Sequence, residues 1–301
     1  MLLSLLFDIV VVVSVLTLLG LLWIVGIPRL RAARPHAIPQ LKATLPYLLL
    51  LGLVLLANNY LRDLGPEVSW ILGIQIDLTI RNIEGTFVAT LQNYAHPYLT
   101  TYFSAIYIYG YIFLLVFPVL AYLIHRDSRP AKEIALAYTL NYGIGVICYT
   151  IFIAYGPRAF PAMYGENLLY AEWAQAQVLT SEVNTEINVF PSLHTSLSVT
   201  VAVLAYRWRE IYPEWLSVSI ILAGSVAIST MYLGIHWATD VVAGTVLGVF
   251  SVWAGAWLTR PERQEGRIGR IGRKLRAPID AVFELVVNRF QQLYASKERD
   301  R

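Results

Sequence analysis

Seven long apolar runs constrain this chain more than any other feature: Leu2–Ile27, Leu45–Leu61, Thr101–Ile124, Glu133–Tyr155, Pro191–Trp208, Trp215–Leu233 and Thr239–Leu258. Crossing the hydrocarbon layer takes roughly 20 mostly apolar residues, and in lipid the backbone must satisfy its own hydrogen bonds, so such runs read as transmembrane helices. The second run is short, and the fifth carries several Ser and Thr. Composition agrees with this reading. Of 301 residues, 57% are hydrophobic and 14% charged, where soluble domains carry about 25% charged residues. Mean hydropathy is +0.56. A disordered chain is excluded, and an ordinary soluble enzyme is disfavoured. The first run has the length of a signal peptide but lacks a basic start and carries Asp8, so it is expected to be retained. The single cysteine, Cys148, forms neither an internal disulfide nor a thiolate zinc cluster.

The basic residues set the expected orientation. Arg29, Arg31, Arg34 and Lys42 follow the first run, Arg126, Arg129 and Lys132 separate the third from the fourth, and Arg207 and Arg209 separate the fifth from the sixth. With the tail after Leu258, these make up 20 of the 23 Lys and Arg, all on one side if seven spans alternate. The positive-inside rule then puts the N-terminus outside a cell membrane and the tail in the cytoplasm. Arg62, Arg81 and Arg158 fall on the opposite side. The expected fold is an all-α membrane protein, a bundle of about seven transmembrane helices. Residues 1–100 hold the N-terminal helices, 101–258 a helical core and 259–301 a basic tail.

Between the spans, Ile76, Ile80, Ile83, Phe87 and Leu91 repeat at helical spacing, with Asp77, Arg81 and Glu84 on another face. The pattern predicts an external amphipathic helix on the membrane surface, in which Asp77 and Arg81 pair. The loop Gly156–Phe190 is acidic and aromatic (Glu166, Glu172, Glu182, Tyr164, Trp173) and reads as a lid or a solvated connector. In the tail, Arg267, Arg270, Arg273, Lys274 and Arg276 precede an apolar stripe from Ile279 to Tyr294. That predicts an interfacial helix on anionic lipid, and the positive charge needs no nucleic-acid partner. Gly244 and Gly248 form a GxxxG, which permits close helix packing.

Candidate chemistry lies at one membrane face. His194 opens the fifth span in Phe190-Pro191-Ser192-Leu193-His194. His236 and Asp240 sit in the turn between the sixth and seventh, and Arg158 ends the fourth in Tyr155-Gly156-Pro157-Arg158. Taken singly, each has a dull reading, since an Asp caps helices well and an Arg binds headgroups. Together they suit phosphoryl transfer. A carboxylate four residues from His236 holds one ring nitrogen and leaves the other to attack phosphorus. His194 can protonate the departing oxygen and deprotonate the incoming one. Arg158 offers two donors to phosphate oxygens, and Ser192 adds a hydroxyl at a helix start. No metal or other cofactor is required, because arginine and helix dipoles offset the charge. His36, His96 and His125 are assigned no role.

Pro191-Ser192-Leu193-His194 resembles the PSGH motif of the phosphatidic acid phosphatase type 2 superfamily, and Ser229 through Asp240 resembles its SRxxxxxHxxxD motif. The resemblance covers roughly Tyr138–Trp253. It implies a six-helix phosphatase-type core, here with an extra N-terminal helix, acting on a lipid phosphate without metal. His236 would be the nucleophile that carries a phosphohistidine, His194 the general acid and base, and Asp240 the orienting carboxylate. The chain departs from the pattern in several places. Counting back from Arg158, Ile151 stands at the lysine of KxxxxxxRP, and Ala159 replaces its proline. Leu193 replaces the glycine of the second motif, and Thr230 the arginine of the third. Two usual phosphate-binding cations are therefore missing. Either Arg62 or Arg81 substitutes, or the donor is a phosphodiester with a single negative charge. FPSLH and STMYLxxH look like the inositol phosphorylceramide synthase (aureobasidin-resistance-like) branch, which moves a phospho-alcohol from a phospholipid to a lipid alcohol. A phosphatase acting on a lipid phosphate or prenyl diphosphate, with water as acceptor, is the alternative. Two other classes stay open: a hydrolase in which His194, His236 and Asp240 bind zinc, and a transporter or channel.

Overall fold

A computed structural model of the chain describes residues 2–160, 168–169 and 189–260. It is an all-α membrane protein. Helix α1 (Leu2–Gly20) continues through a π turn (Leu21–Val25), then α2 (Ile27–Ala33) leads into the long α3 (Ala37–Leu72). Two short helices follow, α4 (Asp77–Glu84) and α5 (Phe87–Gln92). The next span runs from α6 (Pro97–Ala105) through a π turn (Ile106–Gly110) into α7 (Tyr111–Ile124). Helix α8 (Arg129–Ile151) returns, and the chain closes with α9 (Leu193–Arg207), α10 (Pro213–Tyr232) and α11 (Ala238–Leu258). The strand pairing consists of β1 (Ile74–Gln75) in parallel register with β2 (Phe152–Ile153).

Six of the described helices are long and apolar enough to cross a membrane. The fifth predicted run is the exception. Helix α9 has 15 residues, about 22 Å at 1.5 Å per residue and short of a hydrocarbon layer of about 30 Å. Its place in the bundle explains this. It packs against α7, α8, α10 and α11, with Leu197, Val201 and Leu204 fully buried. A helix sheathed by protein needs no full-length lipid-facing surface, and it can carry polar groups that lipid would not accept. Asn141 of α8 donates to Thr200 Oγ1 at 2.9 Å and accepts from Ser196 Oγ. On the other flank, a Cβ added at Gly244 or Gly248 would collide with the carbonyls of Ser192 and Ser196. The GxxxG thus lets α11 lie directly on the α9 backbone.

The bundle has two unlike ends. At one, the buried Glu133 carboxylate accepts from Arg129 Nε (3.0 Å), Arg207 Nε (2.8 Å) and Trp208 Nε1 (2.9 Å), and Thr259 Oγ1 lies 3.3 Å away. Gln40 donates to the carbonyls of His125 and Arg126 at the same end, and Arg29 lies over the Tyr212 ring. The opposite end carries Arg158, His194, His236 and Asp240.

The predicted external helix is reshaped by the fold. Gly85, at φ 56°, ends α4, and α5 restarts at Phe87. One side of this segment docks on the protein, while Leu78, Ile83 and Phe87 stay exposed. Ile80 and Val88 are buried with Ala154, Val189 and Trp237. Asp77 and Arg81 do pair, at 2.9 Å. The tail helix and its anionic-lipid contact, with most of Gly156–Phe190, lie outside the described residues, as does the Arg62 side chain.

Candidate active site

The site is assembled at the recessed start of α9. Pro191 O accepts from Tyr149 Oη of α8 at 3.1 Å, and Leu193 lies against Gly145, where an added Cβ would come within 2.6 Å of Leu193 Cδ2. Helix α8 continues to Ile151, six residues past this glycine, which is about 9 Å of further rise. His194 therefore sits below the rim of the bundle. Ser192 caps α9: its Oγ accepts from Thr195 N at 3.3 Å, and its own N–H donates to Asp240 O at 3.0 Å. The hydroxyl expected to touch substrate is thus engaged in ordering the helix that carries His194.

His236 lies in the tight turn joining α10 to α11. Gly234 takes φ 75° there, a conformation that disfavours any side chain, and the His236 N–H returns to Thr230 O at 3.0 Å. The residue is 1% exposed. Its Nδ1 stands 3.4 Å from Asp240 Oδ2, longer than a made hydrogen bond. The same carboxylate oxygen accepts from Trp237 N at 2.8 Å, so Asp240 both orders the first turn of α11 and faces the ring. Its Oδ1 is buried without a partner among the described residues. Burial first, and then the Arg158 guanidinium, push the His236 pKa down to about 3, against an opposing hydrogen bond to the Val189 carbonyl. The ring is therefore neutral at ordinary pH. Arg158 is tied to this turn through its backbone, with its N–H donating to Gly234 O at 3.0 Å.

The two predicted imidazoles meet. Their ring centroids are 6.4 Å apart at 54°, with Asp240 behind His236. A phosphoryl group between them would contact both rings. Among the described residues, no three His, Cys, Asp or Glu side chains are grouped to hold a metal ion.

Several contributors escape a reading of the sequence alone. Glu84 of α4 accepts from Ala238 N at 2.9 Å and from Thr239 N, so it occupies the free N–H groups that open α11. The amphipathic pattern had placed Glu84 on one face with Asp77 and Arg81, without a partner. Tyr107 and Tyr111 lie against His194, with centroids at 4.5 and 4.4 Å. Their i,i+4 spacing inside an apolar run was the available signal. Of the motif positions that lack their usual cations, Thr230 is buried and bonded to Ala227 O. Arg81 lies over the Phe160 ring, two residues beyond Arg158, with its Cζ 4.2 Å from the ring centre.

Comparison with known proteins agrees with the geometry. The PAP2 superfamily model matches residues 80–254, a span that includes Glu84, both tyrosines, Arg158, both site histidines and Asp240. An uncharacterized protein of Methanocaldococcus jannaschii is 25% identical over 148 residues, 49% of this chain and 57% of its own length. The bacitracin transport permease protein BcrC of Bacillus licheniformis is 37% identical over 70 residues, 23% of this chain and 33% of its own. The matches thus span little more than half of the first relative and a third of the second. No solved structure matches the chain. With more than half its length matched, the site included, the chain belongs to the PAP2 superfamily.

Proposed function

We propose that this chain transfers a phosphoryl or phospho-alcohol group from a membrane lipid through a covalent adduct on His236. The carrying observation is the facing pair of imidazoles 6.4 Å apart, one of them backed by Asp240. In the tautomer that carries its proton on Nδ1, facing Asp240, the remote ring nitrogen of His236 is free of the Val189 carbonyl, and its lone pair attacks phosphorus. The bond from phosphorus to the leaving oxygen breaks, and His194 gives that oxygen its proton. Asp240 closes on Nδ1–H and stabilises the positive ring, as such contacts tighten once substrate is bound. Arg158 holds two phosphate oxygens. In the second half, the incoming hydroxyl loses its proton to His194, its oxygen attacks phosphorus, and the P–N bond breaks. These steps need no metal ion.

The acceptor we favour is a lipid alcohol and the donor a phosphodiester, as in inositol phosphorylceramide synthases. The support is the cation count. Ile151 and Thr230 stand where the family's motifs carry Lys and Arg, and Arg81 is engaged with Asp77. A diester with one negative charge needs fewer cations than a phosphomonoester or diphosphate. We place the site at the extracytoplasmic face of the cell membrane, with the N-terminus outside and the C-terminus in the cytoplasm, because the basic loops gather at the opposite end.

The test is mass spectrometry of native lipids incubated with reconstituted protein, alongside adduct trapping in His194→Ala. A new phospholipid together with a released diglyceride-type alcohol supports transfer, whereas free inorganic phosphate assigns water as acceptor. A phosphorus adduct on His236 supports the shared first step, and full turnover by His236→Ala refutes it.

A further inference from the structure

We infer that Tyr107 and Tyr111 are the positioning residues of His194, holding its plane by ring stacking in place of a hydrogen bond. The inference rests on the phosphohistidine reading above, because it explains how the acid–base imidazole is aimed.

An imidazole that gives and takes a proton must present one edge to the reacting oxygens, within a few tenths of an ångström and about 10–20°. The usual device is a hydrogen bond to the far ring nitrogen, which also selects a tautomer. His236 has Asp240 facing its Nδ1 at 3.4 Å, placed to supply one when the contact tightens. His194 is built differently. The Tyr107 ring is nearly parallel to it, 22° at 4.5 Å, and the Tyr111 ring lies at 39° and 4.4 Å. Among the described residues, its ring is met by these aromatic rings and by His236, and by no hydrogen-bonding side chain. Aromatic faces fix a ring plane without claiming either nitrogen, and they accept the neutral and the protonated ring alike. That suits a group whose charge alternates within each cycle, since no positioning hydrogen bond has to break when the proton moves.

The helix is shaped for this purpose. Tyr107 lies inside the π turn Ile106–Gly110, and the Tyr111 N–H bonds Ile106 O, five residues back. Such turns insert a residue into a helix and recur at functional sites. The Tyr111 hydroxyl is hydrogen-bonded to Tyr142 of α8, and Tyr107 is 7% exposed. Neither ring is free to swing away.

The test uses full-length, detergent-solubilised protein and orthovanadate, a mimic of phosphoryl-transfer transition states that requires no knowledge of the lipid. Tyr107→Phe keeps the face, while Tyr107→Leu, Tyr107→Met and Tyr111→Leu remove one. In the wild type, the NMR signal of the His194 Cε1 proton, assigned with His194→Gln, lies upfield through the ring currents of both tyrosines. Tyr107→Phe should keep that shift and bind vanadate within about threefold of wild type. The variants lacking a face should lose much of the shift and bind at least about tenfold more weakly, the scale expected when a catalytic group is misaligned. Melting temperatures identify any variant that does not fold, and Tyr107→Met, which keeps apolar bulk, then stands in for Tyr107→Leu. Leucine or methionine variants with wild-type affinity and an unmoved His194 signal overturn the inference. So does a Tyr107→Phe that fails as badly as Tyr107→Leu, because the hydroxyl and not the face would then be responsible. Failure of the underlying reading looks different: His236→Ala would bind vanadate as well as the wild type does.

Discussion

At the scale of single residues, the site is a set of groups whose ordinary tendencies are bent by burial. Free histidine titrates near 6.5, but His236, buried beside Arg158, is held to about 3. The sign of the consequence follows directly. Between those values the unfolded chain binds a proton that the folded chain refuses, so stability is complete above about pH 6.5 and falls as pH drops toward 3. The wild type should therefore lose more melting temperature between pH 7.5 and 5.0 than His236→Gln, measured in one detergent. Equal losses would mean that the ring titrates normally in the fold. His236 and Asp240 were legible as a pair in the sequence because they stand four residues apart where α11 begins. The role of Ser192 was not. A serine before a helix serves equally as cap or as substrate contact, and its sequence position does not reveal that its hydroxyl accepts from Thr195 N.

At the scale of elements, the site depends on pieces that the motifs do not contain. Helix α4 reads as a surface amphipath, yet it pins the turn holding His236 and Asp240. Glu84 satisfies two N–H groups at the start of α11, and Ile80 packs near Trp237. Periodicity reported that α4 has an apolar face but not what would cover it, and protein and lipid both serve. Glu84→Ala should cost about 1 kcal/mol of stability, as loss of a helix cap does. It should also lower kcat while leaving KM nearly unchanged, because it loosens His236 rather than a substrate contact. A thermal melt and steady-state kinetics on the identified lipid check both, and an unaltered kcat would reduce Glu84 to a surface cap. The α9–α11 contact makes a second element-scale prediction. The Gly248 hydrogen faces Ser196 O, and a valine there must push the helices apart. Gly248→Val should destabilise by about 1–3 kcal/mol or more, the range for overpacked interiors, and lower activity through displacement of Ser192 and His194. Denaturant unfolding reads the first effect and turnover the second. The GxxxG was correctly legible, since only a close backbone approach makes two glycines at that spacing useful in lipid. The shortness of α9 was not, because hydropathy cannot distinguish a helix bathed in lipid from one sheathed by protein.

At the scale of the whole molecule, charge separates the two ends more sharply than any single contact does. Arg129, Arg207, Trp208 and Thr259 converge on Glu133, clasping the start of α8 to the ends of α9 and α11 far from the imidazoles. This clasp and the site are joined by the α8, α9 and α11 core, so the orientation of one determines that of the other. If the basic end faces the cytoplasm, the proposed phosphoryl transfer lies on the opposite side of the membrane and cannot draw on a soluble cytoplasmic donor. Two single-cysteine proteins, made after replacing Cys148, decide the matter: one with a cysteine at Thr86, between α4 and α5, the other at Asp127, between α7 and α8. A membrane-impermeant maleimide added to intact cells should label position 86 and spare position 127 until the membrane is opened. The reverse pattern would turn the bundle over, put its candidate site in the cytoplasm, and leave the distribution of its arginines at odds with the energetics that orient membrane helices.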